Sequence, residues 1–217
     1  MFFVTGTNTE IGKTFASTLL FRYFHQQGKR CVIMKPIASS ENNPSEDADT
    51  IFTCLASSGV PLNNKDKQDI APITYPRPYA PYALEGSQIT ELKDKLLSSF
   101  NRLKKKFSII IVEGIGGALV PIEKDFFTLD IAKLFNIPTI VVAEDKLGAI
   151  NHTLLTFEAI QSRGIIVSGF IMNRFLVENE KKVKNNVQVI EEISGIPCIG
   201  KIIDGQLKEI IREKYEL

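Results

Sequence analysis

The segment Gly6–Thr14, GTNTEIGKT, decides the fold of this 217-residue chain because of what stands on either side of it. The apolar residues 2–5 before it predict a buried strand, and residues 13–27 after it predict a helix that ends at Gly28. A glycine-containing loop between a strand and a helix lets backbone N–H groups surround phosphate oxygens at the positive end of the helix. The order of strand, loop and helix therefore predicts a phosphate-binding loop.

Two side chains at the end of this loop have the chemistry of a nucleotide site. Lys13 is expected to bridge the β- and γ-phosphates of a triphosphate, and the hydroxyl of Thr14 is expected to bind Mg²⁺. Five residues separate Gly6 from Gly12, one more than in the standard motif, and the longer loop could place Glu10 beside the nucleotide. The alternatives are an exposed carboxylate at Glu10 and, for the whole loop, a turn that binds nothing.

Glu113 stands at the end of another apolar run, residues 109–112. In a parallel sheet the carboxyl ends of the strands form the edge where ligands bind, so Glu113 is a candidate Mg²⁺ ligand. Gly114 and Gly116 follow it, and glycine allows the backbone to approach a phosphate closely. The alternative is a buried carboxylate at the sheet edge with no catalytic role.

Two more charged residues are candidates at the same edge. Lys35 follows the predicted strand 31–34, where its charge could neutralise a phosphoryl group in transfer, although a solvated lysine would also fit. Asp47 precedes a predicted helix over residues 48–56. It is therefore a metal ligand, the N-cap of the helix or an ordinary acid of the first helical turn.

The composition is that of one globular domain, expected to span residues 1–217, with 44% hydrophobic and 24% charged residues. Lys plus Arg number 26 against 25 for Asp plus Glu; a polyanion binder would be more basic, so we expect no nucleic-acid partner.

No apolar run approaches the ~18 residues of a membrane span, and the strand-like start leaves no room for a signal peptide. Three scattered cysteines indicate reduced thiols. We therefore expect a cytoplasmic protein without a membrane partner.

Strand-like and helix-like segments alternate along the chain, which favours an α/β fold with a mostly parallel sheet and helices on both faces. A long surface excursion is predicted between Pro61 and Pro81, because five of the ten prolines lie there. The remaining predicted strands are 137–143, 165–172 and 198–202, and the remaining predicted helices are 92–106, 128–135 with Thr128 as its cap, 154–160, 178–193 and 207–215.

Together these segments resemble the dethiobiotin synthetase family of the P-loop NTPase superfamily. The matching stretches are VTGTNTEIGKT (4–14), KPIAS (35–39), VEGIGG (112–117) and KLGAINH (146–152), followed by Asn173 at a strand end. They occur in the family's order and extend over most of the chain. The extended loop combined with the other stretches is far more specific than a phosphate loop alone. The resemblance implies a single-domain P-loop NTPase fold.

The resemblance also implies a reaction. 7,8-Diaminononanoate, CO₂ and ATP give dethiobiotin, ADP and phosphate. One amine becomes a carbamate, the γ-phosphoryl group passes to that carbamate, and the second amine then closes the cyclic urea. A carbamate is a poor electrophile, and its phosphorylation supplies a leaving group. The protein mainly positions two anions and screens their repulsion.

The resemblance assigns roles position by position. Lys13 and Lys35 would be the catalytic charges that face the phosphates and the carbamate. A homodimer is implied, because the segment 148–151 resembles the one that binds the substrate's carboxylate tail from the second subunit. The implied substrate contacts are Thr9, Ser39, Gly148, Ala149 and Asn151, the implied Mg²⁺ ligands are Thr14, Asp47 and Glu113, and the implied ATP contacts are Thr9, Glu10, Ile11, Gly12, Lys13, Thr14, Asp47, Glu113, Gly114, Gly116 and Asn173.

Two features depart from the family pattern. Residues 200–203 are Gly-Lys-Ile-Ile, where family members often carry Gly-x-Ile-Pro near the base. Adenine recognition is therefore expected to be looser, or made differently. Glu144 and Asp145 are more acidic than the pattern, and the sequence alone provides no account of them.

Other functions stay open at the level of sequence. The main alternative is a P-loop ATPase switch of the partition or metal-cluster-carrier type. Many of those proteins carry a further lysine early in the loop, where Thr7, Asn8 and Thr9 stand here. A synthetase of the cobyrinate type usually has an attached glutaminase domain, for which 217 residues leave no space. A nucleotide-binding module without catalysis is the remaining alternative.

Overall fold

A seven-stranded sheet forms the centre of the structure. The computed structural model describes residues 1–40, 45–85, 89–175 and 184–208, and the structural statements below refer to these ranges. The strands are β1 (Phe2–Gly6), β2 (Cys31–Met34), β3 (Ile37–Ser39), β4 (Ile73–Tyr75), β5 (Ile109–Glu113), β6 (Pro121–Glu123), β7 (Phe126–Phe127), β8 (Thr139–Glu144), β9 (Val167–Asn173), β10 (Cys198–Ile203) and β11 (Gln206–Lys208). The helices are α1 (Lys13–Gln26), α2 (Glu46–Ser57), α3 (Asn64–Ile70), α4 (Leu92–Lys106), α5 (Thr128–Phe135), α6 (Ala149–Gln161) and α7 (Asn186–Ser194).

The strand order of the central sheet is β11-β10-β9-β8-β1-β5-β2. All its neighbouring strands are parallel except the β10–β11 pair. Every residue of β1 and β2 is buried, and successive side chains of a strand point to opposite faces, so both faces of the sheet are covered. The predicted fold, a mostly parallel α/β sheet flanked by helices, is confirmed.

The parallel direction of β2, β5 and β1 determines where the site lies. These three strands are neighbours in the sheet, so their carboxyl ends meet at one edge. The phosphate loop leaves from the end of β1, Lys35 follows the end of β2, and Glu113 is the last residue of β5. Residues far apart in the sequence are therefore brought to one place by strand order alone.

Helix α1 begins at Lys13, as predicted. Its buried residues Ala16, Leu20 and Phe24 recur at helical spacing and pack under the sheet. Gly12 in front of the helix has left-handed backbone, with φ at 88°, a conformation that glycine adopts without strain. The loop can therefore turn sharply into the helix.

The surface excursion predicted between Pro61 and Pro81 is wrong for its central part. This stretch contains α3 and β4, and Ile70, Ile73 and Tyr75 are buried. β4 pairs in parallel with β3, a strand that the sequence analysis did not predict. The prolines flank these short elements instead of interrupting them, so proline content alone is a misleading guide here.

The end of the chain also differs from the prediction. After β10, Asp204 and Gly205 both have positive φ, at 48° and 72°, and β11 returns antiparallel with Ile203 opposite Gln206. An Asp-Gly pair of this kind is typical of a two-residue hairpin turn. The predicted helix over 207–215 is therefore wrong at residues 207–208, which belong to β11, and its remainder lies outside the described residues.

Smaller differences concern helix starts. Thr128 is the first residue of α5 rather than its cap, and its hydroxyl donates to the carbonyl of Ile115 at 2.9 Å. α6 begins at Ala149, before the predicted residue 154, and α7 begins at Asn186. The predicted helical residues 178–183 lie outside the described ranges.

Within those ranges, none of the helices combines the length and apolarity that a membrane span requires.

Candidate nucleotide and metal site

The phosphate loop is held by backbone contacts at both ends. Thr7 N–H donates to the carbonyl of Val142 in β8 at 3.1 Å, and Ala16 N–H donates to the carbonyl of Gly12 at 2.9 Å. Lys13 is only 7% exposed, and its ammonium donates to the carbonyl of residue 8 at 3.0 Å. The cation therefore lies along the loop, beside the start of a helix, which is an arrangement that binds anions.

Three oxygen-bearing side chains meet beside the start of α1. The hydroxyl of Thr14 lies 2.9 Å from Asp47 Oδ1 and 2.6 Å from Glu113 Oε1. A hydroxyl has one proton to donate, so it can satisfy only one of these carboxylate oxygens at a time. Glu113 is fully buried, and its Oε2 has no hydrogen-bond partner among the described residues. The spare lone pairs and negative charge suit a hard cation such as Mg²⁺.

Lys35 joins the two acids. Its ammonium lies 2.6 Å from Asp47 Oδ2 and 2.7 Å from Glu113 Oε1, and it donates to the carbonyl of Gly114 at 3.3 Å. Burial opposes the charged form, but the attraction of Glu113 and then Asp47 outweighs it and raises the pKa of Lys35 above its ordinary value. Since Lys35 is 2% exposed, the alternative of a solvated lysine is excluded. We call Thr14, Lys35, Asp47 and Glu113 the edge cluster.

Asp47 is not the cap of α2. Ser45 is the N-cap, and its hydroxyl accepts from Ala48 N–H at 3.2 Å, which leaves the Asp47 carboxylate to the edge cluster. Burial opposes ionisation of Asp47. The charge and hydrogen bond of Lys35 outweigh that effect and hold the pKa of Asp47 below its usual range.

Lys13 differs electrostatically from Lys35, because its ammonium donates to a backbone carbonyl instead of a carboxylate. Burial, and then repulsion by Lys35, lowers the pKa of Lys13 to about 8 against the attraction of Glu113 and Asp47. An anion bound beside Lys13 would favour its charged form again.

Asn173 connects the phosphate loop to a cavity at the end of β9. Its Nδ2 donates to the carbonyl of Ile11 at 2.8 Å, and its Oδ1 accepts from the N–H of Arg174 at 2.9 Å. The cavity has a volume of about 480 Å³, which is in the usual range for small-molecule sites. Its lining residues are Gly12, Phe15, Asn173, Arg174, Phe175, Ile202, Asp204 and Gly205.

The two departures from the family pattern both lie near this cavity. The stretch 200–203 continues β10 into the hairpin, whose Asp204-Gly205 turn lines the cavity. Glu144 forms an ion pair with Arg174, and Asp145 accepts from Asn186 Nδ2 at 2.7 Å. These acidic residues therefore tie the end of β8 to the segments that follow β9.

The structure brings the predicted phosphate and metal residues together but leaves the predicted tail segment apart. None of the hydrogen bonds and ion pairs that join the edge cluster in the described ranges reaches residues 148–151. The other predicted contacts differ in exposure. The exposed ones are Thr9, Glu10, Gly148 and Asn151. Gly12, Ser39 and Gly116 are half-buried, and Ile11, Gly114 and Ala149 are buried.

Sequence reasoning missed contributions made by backbone atoms. The carbonyls of Asn8 and Gly114 accept from the two site lysines, and no residue type is required at such positions. It also missed the Asp204-Gly205 turn at the cavity beside Asn173. That turn could have been predicted, because an Asp-Gly pair directly after an apolar strand is typical of a hairpin turn.

Comparison with known proteins identifies relatives over nearly the whole chain. A family model described as an AAA domain matches residues 1–205. The chain is 34% identical to the ATP-dependent dethiobiotin synthetase BioD of Bacillus subtilis (strain 168) over 202 residues, 92% of this chain and 85% of that protein. It is 35% identical over 221 residues to the protein of the same name from Methanocaldococcus jannaschii, 99% of each chain. The MinD cell division protein of Aquifex aeolicus shares the fold, with a TM-score of 0.54 at 16% identity, covering 94% of this chain and 81% of that one.

Replacing Gly12 should damage the phosphate loop more than its backbone angle alone explains. A Cβ on Gly12 would lie 2.3 Å from Asn173 Nδ2, and Asn173 is buried and hydrogen-bonded at both ends of its amide. Gly28→Ala is the matched control, because Gly28 has a similar φ of +74° with open space around it.

We expect Gly28→Ala to lower the free energy of unfolding by about 1 kcal/mol, and Gly12→Ala to lower it by roughly 2–4 kcal/mol. We also expect Gly12→Ala to weaken binding of a magnesium nucleoside triphosphate at least tenfold. Urea denaturation and titration calorimetry measure the two effects. Equal losses of stability in both variants would contradict the steric account.

Nucleotide binding should take up a proton at alkaline pH. The pKa of Lys13 is about 8 in the free protein, so at pH 8.5 the side chain is mainly neutral, whereas bound phosphate favours the ammonium form. We expect uptake of roughly 0.7 of a proton per site at pH 8.5, and weaker binding as the pH rises further.

Calorimetry in two buffers of different ionisation enthalpy measures this uptake. Lys13→Arg is the control, because arginine stays charged and should show no uptake. The same observed heat for the native chain in both buffers would contradict the prediction.

Proposed function

This chain belongs to the dethiobiotin synthetase family, and we propose that the edge cluster, together with Lys13, is its catalytic centre. The activity is the ATP-dependent formation of dethiobiotin, so the chain is a ligase of biotin biosynthesis. The proposed substrates beside ATP are 7,8-diaminononanoate and CO₂. The observation that carries the proposal is the buried ammonium of Lys35, held between two carboxylates at the end of the phosphate loop.

Magnesium would be held by Thr14, Asp47 and Glu113. Their oxygens already converge, with one hydroxyl proton between two carboxylates and one carboxylate oxygen unpartnered, which fits a hard cation. The described residues contain no group of three or more His, Cys, Asp and Glu side chains that could hold a metal without a ligand's help. This agrees with an ion that completes its shell with water and phosphate oxygens. When bound, Mg²⁺ supplies positive charge against the phosphates.

The two lysines would divide the work of positioning and charge screening. Lys13 lies along the loop where phosphate oxygens bind, so its charge would stabilise the triphosphate. Lys35 keeps its proton because its pKa is raised, so it acts as a fixed positive charge and not as a base. Placed between the nucleotide and the carbamate, that charge reduces the repulsion that keeps two anions apart.

We propose that the base of the nucleotide occupies the cavity beside Asn173. The cavity adjoins the phosphate loop through Gly12 and is lined by the apolar rings of Phe15 and Phe175. Each end of the Asn173 amide makes one backbone hydrogen bond, which leaves a second N–H and a second lone pair through which the side chain would contact the base.

The carboxylate tail of the diamine would bind at the start of α6, in a homodimer. Gly148 and Asn151 are exposed there, at the N-terminal end of a helix, where a carboxylate is stabilised. Leu147 and Leu155 are exposed apolar side chains on the same segment, at 102% and 55%. Covering them with a second subunit would bury apolar surface and would bring the tail site to the partner's edge cluster.

We propose a cytoplasmic location for this chemistry. Cys31, Cys54 and Cys198 are all free and buried, which suits a compartment that keeps thiols reduced.

Removing the Lys35 charge should lower turnover much more than nucleotide affinity. We expect Lys35→Ala to reduce diamine-dependent phosphate release by about a hundredfold or more, because a preorganised charge acts mainly in the transition state. The Kd for the magnesium nucleotide should change less than about threefold. Lys133→Ala, at an exposed position, is the control for loss of a lysine.

Phosphate release is measured with and without 7,8-diaminononanoate and bicarbonate, and folding is checked by circular dichroism. Undiminished turnover in Lys35→Ala would remove Lys35 from the centre. Equal phosphate release with and without the diamine would favour the ATPase-switch alternative.

The tail site can be tested by mixing two variant subunits at a diamine concentration well below the KM of the Asn151→Ala variant. Asn151→Ala should raise the KM for the diamine and leave ATP binding unchanged, with Glu158→Ala on the same helix as the control. If the tail binds across the dimer, a heterodimer of Lys35→Ala and Asn151→Ala subunits has one intact site. A random one-to-one mixture should therefore regain about a quarter of the native activity. Activity that stays at the level of the separate variants would place the tail site elsewhere.

A further inference from the structure

The backbone at Lys35 is held from outside the central sheet. Lys35 lies just past the end of β2, and its N–H donates to the carbonyl of Ile70 at 2.8 Å. The next residue is Pro36, which has no N–H to donate. Ile70 is the last residue of α3, so the end of this helix sets where Lys35 leaves the sheet.

Helix α3 cannot hold that position by itself. It has seven residues, and an isolated helix of this length is not stable in water. Its last turn is anchored to α4 through Asp69, which is 2% exposed. The guanidinium of Arg102 in α4 donates to both carboxylate oxygens of Asp69, from Nη2 to Oδ1 at 2.8 Å and from Nε to Oδ2 at 2.9 Å. Ser99 donates to the same carboxylate at 3.3 Å.

An aspartate at this position is costly unless it is paired. A negative charge in the last turn of a helix opposes the helix dipole, and a buried charge loses its hydration. Apolar side chains could join the two helices without either cost. Unlike apolar contacts, a bidentate arginine–carboxylate pair fixes both the distance and the orientation of the two groups.

We propose that Asp69 and Arg102 are positioning residues for Lys35. Their ion pair fixes the end of α3, the carbonyl of Ile70 passes that position to the Lys35 backbone, and the ammonium is thereby held in the edge cluster. The inference rests on the proposed catalytic role of Lys35. Positional errors near 1 Å are enough to cost catalysis up to a hundredfold, so a loosened helix end should be visible in turnover.

The chain supplies a matched control on the same two helices. Lys106, the last residue of α4, forms an ion pair with the buried carboxylate of Asp66 in the first turn of α3. Lys106 and Arg102 are similarly exposed, at 49% and 40%. Removing either side chain breaks one ion pair between α3 and α4, but only the pair of Arg102 adjoins Ile70.

The experiment is a double-mutant cycle on turnover at saturating substrates. Arg102→Ala is expected to lower kcat about tenfold in the native background and less than twofold in a Lys35→Ala background, because the residue acts through Lys35. Lys106→Ala should change kcat less than twofold in the native background. Arg102→Lys keeps the charge but loses the bidentate geometry, so it should lower kcat to an intermediate degree. It replaces Arg102→Ala in the cycle if the alanine variant does not fold.

The outcomes separate this inference from the proposed function. A large loss in Lys35→Ala together with equal effects of Arg102→Ala in both backgrounds would overturn the positioning role and keep the catalytic role of Lys35. Equal losses of kcat in Arg102→Ala and Lys106→Ala would mean that helix stability alone is responsible. Undiminished turnover in Lys35→Ala itself would instead remove the premise.

Discussion

A buried ammonium between two carboxylates is the interaction on which the arrangement of the site depends. Lys35 is 2% exposed and Glu113 is fully buried, and neither charge could remain in that position alone without a large loss of hydration energy. Asp47 completes the group from α2. Because each charge requires the others, the ends of β2 and β5 and the start of α2 must come together when the chain folds. Thr14 of α1 joins the same cluster, because its hydroxyl lies within hydrogen-bond distance of both carboxylates.

The pKa values of the two lysines of the site are shifted in opposite directions, and the difference follows from their surroundings. Lys35 faces carboxylates, which raise its pKa and make it a permanent part of the framework. Burial, and then the repulsion of Lys35, lowers the pKa of Lys13, whose ammonium donates to a backbone carbonyl instead of a carboxylate. The ammonium form of Lys13 is therefore the one that an anionic ligand stabilises further on binding, whereas the charge of Lys35 is already stabilised by its carboxylates. Two cations with these properties suit a site that holds a nucleotide beside a second anion.

The parts of the site that follow from local sequence were predictable. The strand, loop and helix around Lys13 and the apolar run before Glu113 have periodicities that a single sequence displays, and strand order does the rest. The α3–β4 segment was not predictable in this way. It is short, it is flanked by prolines, and it is held by Asp69 and Arg102, which are 33 residues apart in the sequence. The ammonium–carboxylate contacts of Lys35 likewise join residues that only the folded chain brings together.

The mispredicted segments lie beside the site, and this has a physical reason. The phosphate end of a nucleotide site is formed by backbone N–H groups at a helix start, so it needs glycines and a lysine at fixed local spacing. The other surfaces are formed by segments of the chain that pack beside that loop. The end of α3 contacts the backbone of Lys35, and the β10–β11 turn lines the cavity beside Asn173. These supports are specified by tertiary contacts and can differ between relatives while the loop is kept. The same separation explains how the chain can match the family at its phosphate loop and depart from it at residues 200–203, beside the cavity of Asn173.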